Sequence, residues 1–181
     1  MKGIVFTEFL EMVEDRFSPE TADQIIEQAN LPSGGVYTAV GTYDHAEIVA
    51  LVQQLSKETG ASLSVLLHAF GKHLFTRFVA GFPHFFEGEE NAFDFLAQVE
   101  DYIHVEVKKL YPDAELPSVL AAKDGPGRMT IVYRSDRGMA DLAHGLIEGC
   151  IEHFGESIDI GVTDLAGEAG RHVRFDLARA A

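Results

Sequence analysis

A chain of 181 residues with 46% hydrophobic residues is long enough for one well-cored domain and too short for two comfortable ones. A formal net charge of −15 argues against a nucleic-acid partner or an anionic membrane surface, which both need clustered Lys and Arg. The single cysteine, Cys150, excludes an internal disulfide and a Cys-rich zinc site. Glu8, Glu11, Glu14 and Asp15 interrupt the apolar stretches near the start, and no run approaches the length of a membrane span, so the expected location is the cytoplasm.

In chain order, the first predicted helix buries Val5, Phe6, Phe9, Leu10, Val13 and Phe17 at helical period. Ser18-Pro19 opens a second helix with Ile25, Ile26 and Ala29 inward, followed by a loop over Leu31–Thr42. Asp44 caps a third helix with a core face of Ile48, Leu51, Val52 and Leu55, stopped by Gly60. Ser62–Phe78 reads as a fourth, with Leu63, Leu66, Leu67, Phe70, Leu74 and Phe78 inward. Its mid-helix Gly71 suits close packing or a bend. After an aromatic connection (Phe82, Pro83, Phe85, Phe86), Asn91 caps a long helix reaching Leu110.

Beyond Pro112 the pattern changes. Ser118–Lys123 and Arg128–Ser135 flank Asp124-Gly125-Pro126-Gly127 and predict a hairpin. A helix over Met139–Phe154 follows. Two alternating strands close the chain, one with Ile158, Ile160 and Val162 on one face, the other with Val173, Phe175 and Leu177, joined by a glycine-containing turn. Helices first, then an antiparallel sheet interrupted by one helix, define an α+β domain.

Most histidines invite a bland reading. His45, His84, His153 and His172 fall at exposed positions, and His68, His73 and His144 at surface or satisfied positions of amphipathic helices. Cys150 falls on a buried face and reads as an inert core thiol. His104 differs: it lies one step off the seam Leu96, Val99, Ile103, Val107, Leu110, aligned with Ala97 and Tyr111, as a half-buried structural residue or one facing a cavity. Downstream, alternation puts Tyr133, Ser135 and Arg137 on one strand face beyond Met129 and Ile131. That face suits a flat apolar molecule carrying carboxylates at one end, since Arg holds a carboxylate through paired bonds. A strand end turning polar as it meets solvent has the same pattern.

Taken together, the opening MKGIVF, Gly71, HVEVKKLYP with His104, YRSDR and GLIEG resemble the haem-nitric oxide/oxygen binding (H-NOX) family, related to the haem domain of soluble guanylate cyclase. The resemblance spans essentially all 181 residues. It implies one domain over 1–181, with an N-terminal helical part (1–60) packed on a haem-ligating part (61–181) that carries a four-stranded antiparallel sheet and an interspersed helix. It implies a haem b cofactor, with His104 as proximal iron ligand, Tyr133, Ser135 and Arg137 on the propionates, and Pro117 pressing on the porphyrin. The implied distal wall is Val5, Phe9, Leu74, Phe78, Leu142 and Leu146, with Gly71 as hinge. Oxygen-binding relatives carry a tyrosine at the position of Leu142 and an asparagine at that of Leu74. Their absence implies nitric oxide and carbon monoxide as ligands, without stable oxygen binding. The implied partner is a separate histidine kinase or cyclic-di-GMP enzyme, and the chain is expected to be no enzyme itself. Two rivals are a cofactor-free α+β interaction module and a haem carrier or haem enzyme such as a peroxidase. The peroxidase chemistry needs distal acid–base groups that this wall lacks.

Overall fold

The computed structural model describes residues 1–165, 167 and 170–180. Three helices open the chain: α1 (Gly3–Arg16), α2 (Pro19–Gln28) and α3 (His45–Thr59). Ser18 Oγ accepts from the Thr21 N–H at 3.2 Å with Pro19 at the first helical position, and Asp44 Oδ1 accepts from the Ala46 N–H at 2.9 Å. Gly60 closes α3 in the left-handed region at φ +73°, where a side chain would be strained. α4 (Leu63–Gly81) follows without a break at Gly71, then a 3₁₀ turn at Pro83–Phe85.

The long helix expected from Asn91 to Leu110 is instead three pieces: α5 (Ala92–Ala97), a π-helical turn (Val99–Ile103) and α6 (His104–Leu110). Wider winding shifts the phase of the apolar pattern. Val99, Ile103 and Val107 are therefore only half-buried, and Leu110 is exposed.

The sheet comprises β1 (Ser118–Lys123), β2 (Arg128–Arg134), β3 (Ile158–Asp164) and β4 (His172–Arg179), with α7 (Ala140–His153) between β2 and β3. Spatial order is β1-β2-β4-β3, every pair antiparallel. This is the expected α+β arrangement. The turn foreseen before β4 falls partly on residues 166, 168 and 169, outside the described residues. Alternation on the central strands buries Met129, Ile131 and Tyr133 beside Val173, Phe175 and Leu177, in one cluster with Ile147, Cys150 and Ile151 of α7.

A second apolar cluster gathers Phe6, Phe9, Met12 and Val13 of α1 with Ile25, Ile48, Leu51 and Leu55. α4 serves both: Leu66, Phe70 and Leu74 join the helical cluster, and Phe75 joins the sheet cluster. α4 crosses α7 at glycines. A Cβ on Gly71 would lie 2.3 Å from the Leu142 carbonyl oxygen, and one on Gly145 would lie 2.0 Å from that of His68. Besides Leu110, three residues expected on apolar faces are exposed instead. Phe17 lies past the end of α1, Leu63 in the first turn of α4, and Val162 on the edge strand β3. Among the described residues no helix is long and apolar enough to cross a membrane.

Candidate functional site

His104 begins α6 directly after the π turn, a local winding that re-aims side chains and recurs at functional sites. Its side chain is 17% exposed, and Nδ1 lies 3.2 Å from Oε2 of Glu100, one turn earlier. The same oxygen accepts the Val119 N–H at 2.9 Å, which ties the pair to β1. A carboxylate accepts and does not donate, so Nδ1 carries the proton and Nε2 keeps a free lone pair. Burial lowers the His104 pKa below the ordinary histidine value, while Glu100 pulls the other way. A neutral imidazole, oriented by a carboxylate on its far nitrogen, is in the form that binds metals.

Tyr133 is the last inward residue of β2 and is buried, which raises its phenol pKa against opposing contributions from Ser135, the Met139 backbone and Arg137. The strand alternation expected to carry Ser135 and Arg137 onto the same face does not extend that far. β2 ends at Arg134, and both residues lie in the following turn, where Ser135 Oγ accepts the Arg137 N–H at 3.2 Å. The turn still leaves Arg137 well covered. Its guanidinium donates from Nη1 to the Glu115 carbonyl at 2.8 Å and from Nη2 to Glu115 Oε2 at 2.7 Å. The Arg137 side chain is 14% exposed and that of Glu115 84%. A cleft of about 220 Å³ opens beside them, lined also by Met1, Lys2 and Asp113. Pro117 is half-buried, immediately before β1, in the same connection that carries Glu115.

The predicted distal residues come from three helices: Val5 and Phe9 of α1, Leu74 and Phe78 of α4, and Leu142 and Leu146 of α7. All six belong to or pack against the helical cluster, with Phe9 and Leu74 fully covered. Leu146 also packs against the sheet cluster, so it stands where the two meet. None of the six carries a polar side-chain atom. His144, two residues beyond Leu142, turns elsewhere: its ring is 4.7 Å from that of His68 and 5.7 Å from that of Phe175. His73 faces α1, its Nε2 buried without a hydrogen-bond partner and 3.8 Å from Glu8 Oε2.

Of the remaining histidines, His45, His84 and His153 are exposed as expected. His172 is half-buried and accepts from Arg134 Nε at 3.0 Å, so its expected exposure is corrected. Cys150 is fully buried, and burial pushes its thiol pKa well up, consistent with an inert core thiol. Glu100 and Glu115 were not foreseen. Glu100 had a readable signal, its i−4 position on the His104 helix face. Glu115 had none, because only the tertiary fold brings it to Arg137.

The donor set fits haem. It offers an oriented neutral imidazole, a guanidinium already holding a carboxylate that is free to swing into solvent, and an apolar wall at the meeting of two cores. A family model described as Haem-NO-binding matches residues 2–162. The iron(II) unliganded H-NOX protein from K. algicida is 39% identical, with a TM-score of 0.94 over 100% of this chain and 97% of that one. A variant of it with an alanine-to-glycine substitution gives 40% identity and the same TM-score and coverage. The solution structure of the IWP-051-bound H-NOX from Shewanella woodyi in the Fe(II)CO state is 39% identical, with a TM-score of 0.84 over 99% of this chain and 95% of that one. An S. oneidensis H-NOX in the Fe(II)NO state, 23% identical with a TM-score of 0.92 over the whole of both chains, shares the fold. No curated protein matches. The chain belongs to the haem-NO-binding (H-NOX) family: it is a gas-sensing haem domain, and its cofactor is haem.

Proposed function

We propose that this domain senses nitric oxide. In this reading His104 is the iron ligand through Nε2, with Glu100 fixing its tautomer and ring plane. Tyr133, Ser135 and Arg137 hold the haem propionates, a propionate replacing Glu115 on the Arg137 guanidinium. Pro117 would press on the porphyrin. Ferrous haem supplies an iron site for diatomic gases. The chain supplies the discrimination, through Val5, Phe9, Leu74, Phe78, Leu142 and Leu146.

The observation that carries this reading is the absence of a hydrogen-bond donor among those six side chains. Bound oxygen develops negative charge and needs a donor, whereas nitric oxide and carbon monoxide do not. The family's description and the carbon monoxide state of the 39% identical S. woodyi relative support both gases as ligands. Oxygen is not held stably.

The signal passes in the cytoplasm to a separate histidine kinase or cyclic-di-GMP enzyme, and the domain has no catalytic activity of its own. Gly71, where α4 meets α7, is the pivot between the helical cluster and the sheet half. A partner responds only if it binds the two arrangements differently. The test is ferrous absorbance of the haem-loaded chain under argon, air, carbon monoxide and nitric oxide. Shifted Soret bands under the last two gases, with matching spectra under air and argon before any autoxidation, are expected. A distinct, stable spectrum under air would sink the selectivity claim.

A further inference from the structure

The glycine crossing of α4 and α7 also brings together side chains outside the haem site. His68 and Lys72 lie four residues apart on α4, and His144, Glu148 and Glu152 repeat that spacing on α7, so each set shares one helix face. Across the gap, His68 Nε2 lies 2.7 Å from Glu148 Oε2. Lys72 Nζ lies 2.8 Å from Glu148 Oε1 and 2.6 Å from Glu152 Oε1. One ligand atom from each of His68, His144 and Glu148 lies within 4.8 Å of the other two.

We propose that His68, His144 and Glu148 form a second metal site, for a first-row transition-metal dication such as Zn²⁺, that clamps α4 to α7. Two imidazoles and one carboxylate suit zinc, copper or nickel and disfavour magnesium and calcium, which seek oxygen ligands. A tetrahedral ion with bonds of about 2.0–2.1 Å needs donor atoms roughly 3.3 Å apart. The His68–Glu148 contact is shorter than that and no separation exceeds 4.8 Å, so small side-chain rotations reach the geometry. The side chains of His68 and Glu148 are 29% and 34% exposed, which leaves them free to make such rotations and leaves a fourth position open to water.

When the ion binds, the proton between His68 and Glu148 leaves to solvent as both atoms turn to the metal. Lys72 keeps the second oxygen of Glu148 and orients the carboxylate, while its charge opposes the incoming cation. A groove beside His144 and Glu148 is lined further by Glu152, Glu156 and Asp159, of which Glu152 pairs with Lys72 and Glu156 with Arg179. The backbones are already fixed where Gly71 and Gly145 touch, so little ordering accompanies binding.

The experiment uses the haem-loaded full chain without a histidine tag, titrated with Zn²⁺ against a chromophoric chelator. Expected are one bound ion per chain and a raised apparent Tm. His68→Ala and His144→Ala are each expected to weaken binding by at least about tenfold with the Soret band unchanged. Lys72→Met removes an opposing charge and leaves all three ligand residues in place. It is expected to tighten binding by up to about thirtyfold, the effect on a dication of one unit charge about 4 Å away in water. Should a histidine variant lose its haem band, Glu148→Gln provides a milder ligand change with the same expected direction. Zinc affinity unchanged in the His68 and His144 variants, or no retention at micromolar Zn²⁺, would overturn the proposal.

Discussion

The two sides of the site meet the problem of burial in opposite ways. The helical side offers six apolar side chains from α1, α4 and α7 that need no partners. On the sheet side each polar group already has one: His104 with Glu100, Arg137 with Glu115, and the Arg137 N–H with Ser135 Oγ. Leaving a polar group buried and unsatisfied costs roughly 1–3 kcal/mol, so these local partners keep the polar side formed before a carboxylate-bearing ligand arrives. The apolar side selects by what it lacks; the polar side holds by exchange of partners.

The largest effect is expected from breaking the polar side at its centre. His104→Gly is expected to abolish Soret absorbance in protein made with haem available, and added imidazole to restore it. Undiminished haem content without imidazole would remove His104 from the iron. Next is the crossing that joins the two sides. In Gly145→Ala the new methyl meets the His68 carbonyl and Gly71 Cα, backbone atoms that cannot rotate away. Overpacking of this kind is expected to lower stability by about 1–3 kcal/mol, read as a lower urea midpoint at unchanged slope. A smaller change gives the apolar side the donor it lacks. Leu142→Tyr adds a phenol to the distal wall, and one hydrogen bond of about 1–1.5 kcal/mol is expected to improve oxygen affinity roughly tenfold. Ferrous spectra as a function of oxygen pressure provide the measurement.

The same contrast explains how far the sequence could be read. Apolar faces follow from period alone, so α1 to α4, the hairpin and β4 were legible, whereas the distal set came only from the family resemblance. The break at Val99–Ile103 was not, because a π turn leaves the composition of the helix unchanged and alters only its winding. Ser135 and Arg137 were singled out for a strand face, yet they lie in a turn. The end of β2 depends on its pairing with β1 and β4, which no local pattern specifies. His68 and His144 read individually as surface or satisfied positions, and Glu148 was not singled out. Their association depends on two glycines, 74 residues apart in numbering (145 − 71), packing backbone to backbone.

The smallest expected effect lies at the boundary between α1 and α4, where an apolar side carries one badly served polar atom. Burial lowers the pKa of His73, Arg16 and Arg77 reinforce the shift, and Glu8 and Asp15 oppose it. The folded chain therefore holds His73 neutral, while in the unfolded chain it titrates near the ordinary value of about 6.5. Below that value the unfolded state takes up the proton first. The associated stability is complete above about pH 6.5 and is lost as pH falls toward the lower folded pKa. His73→Phe removes this linkage and the unsatisfied nitrogen together. In the haem-loaded protein, urea midpoints at pH 7.5 and 5.5 are expected to differ less for the variant than for the parent. Equal differences in the two proteins would show that Glu8, whose carboxylate favours the charged imidazole, compensates for the burial of His73.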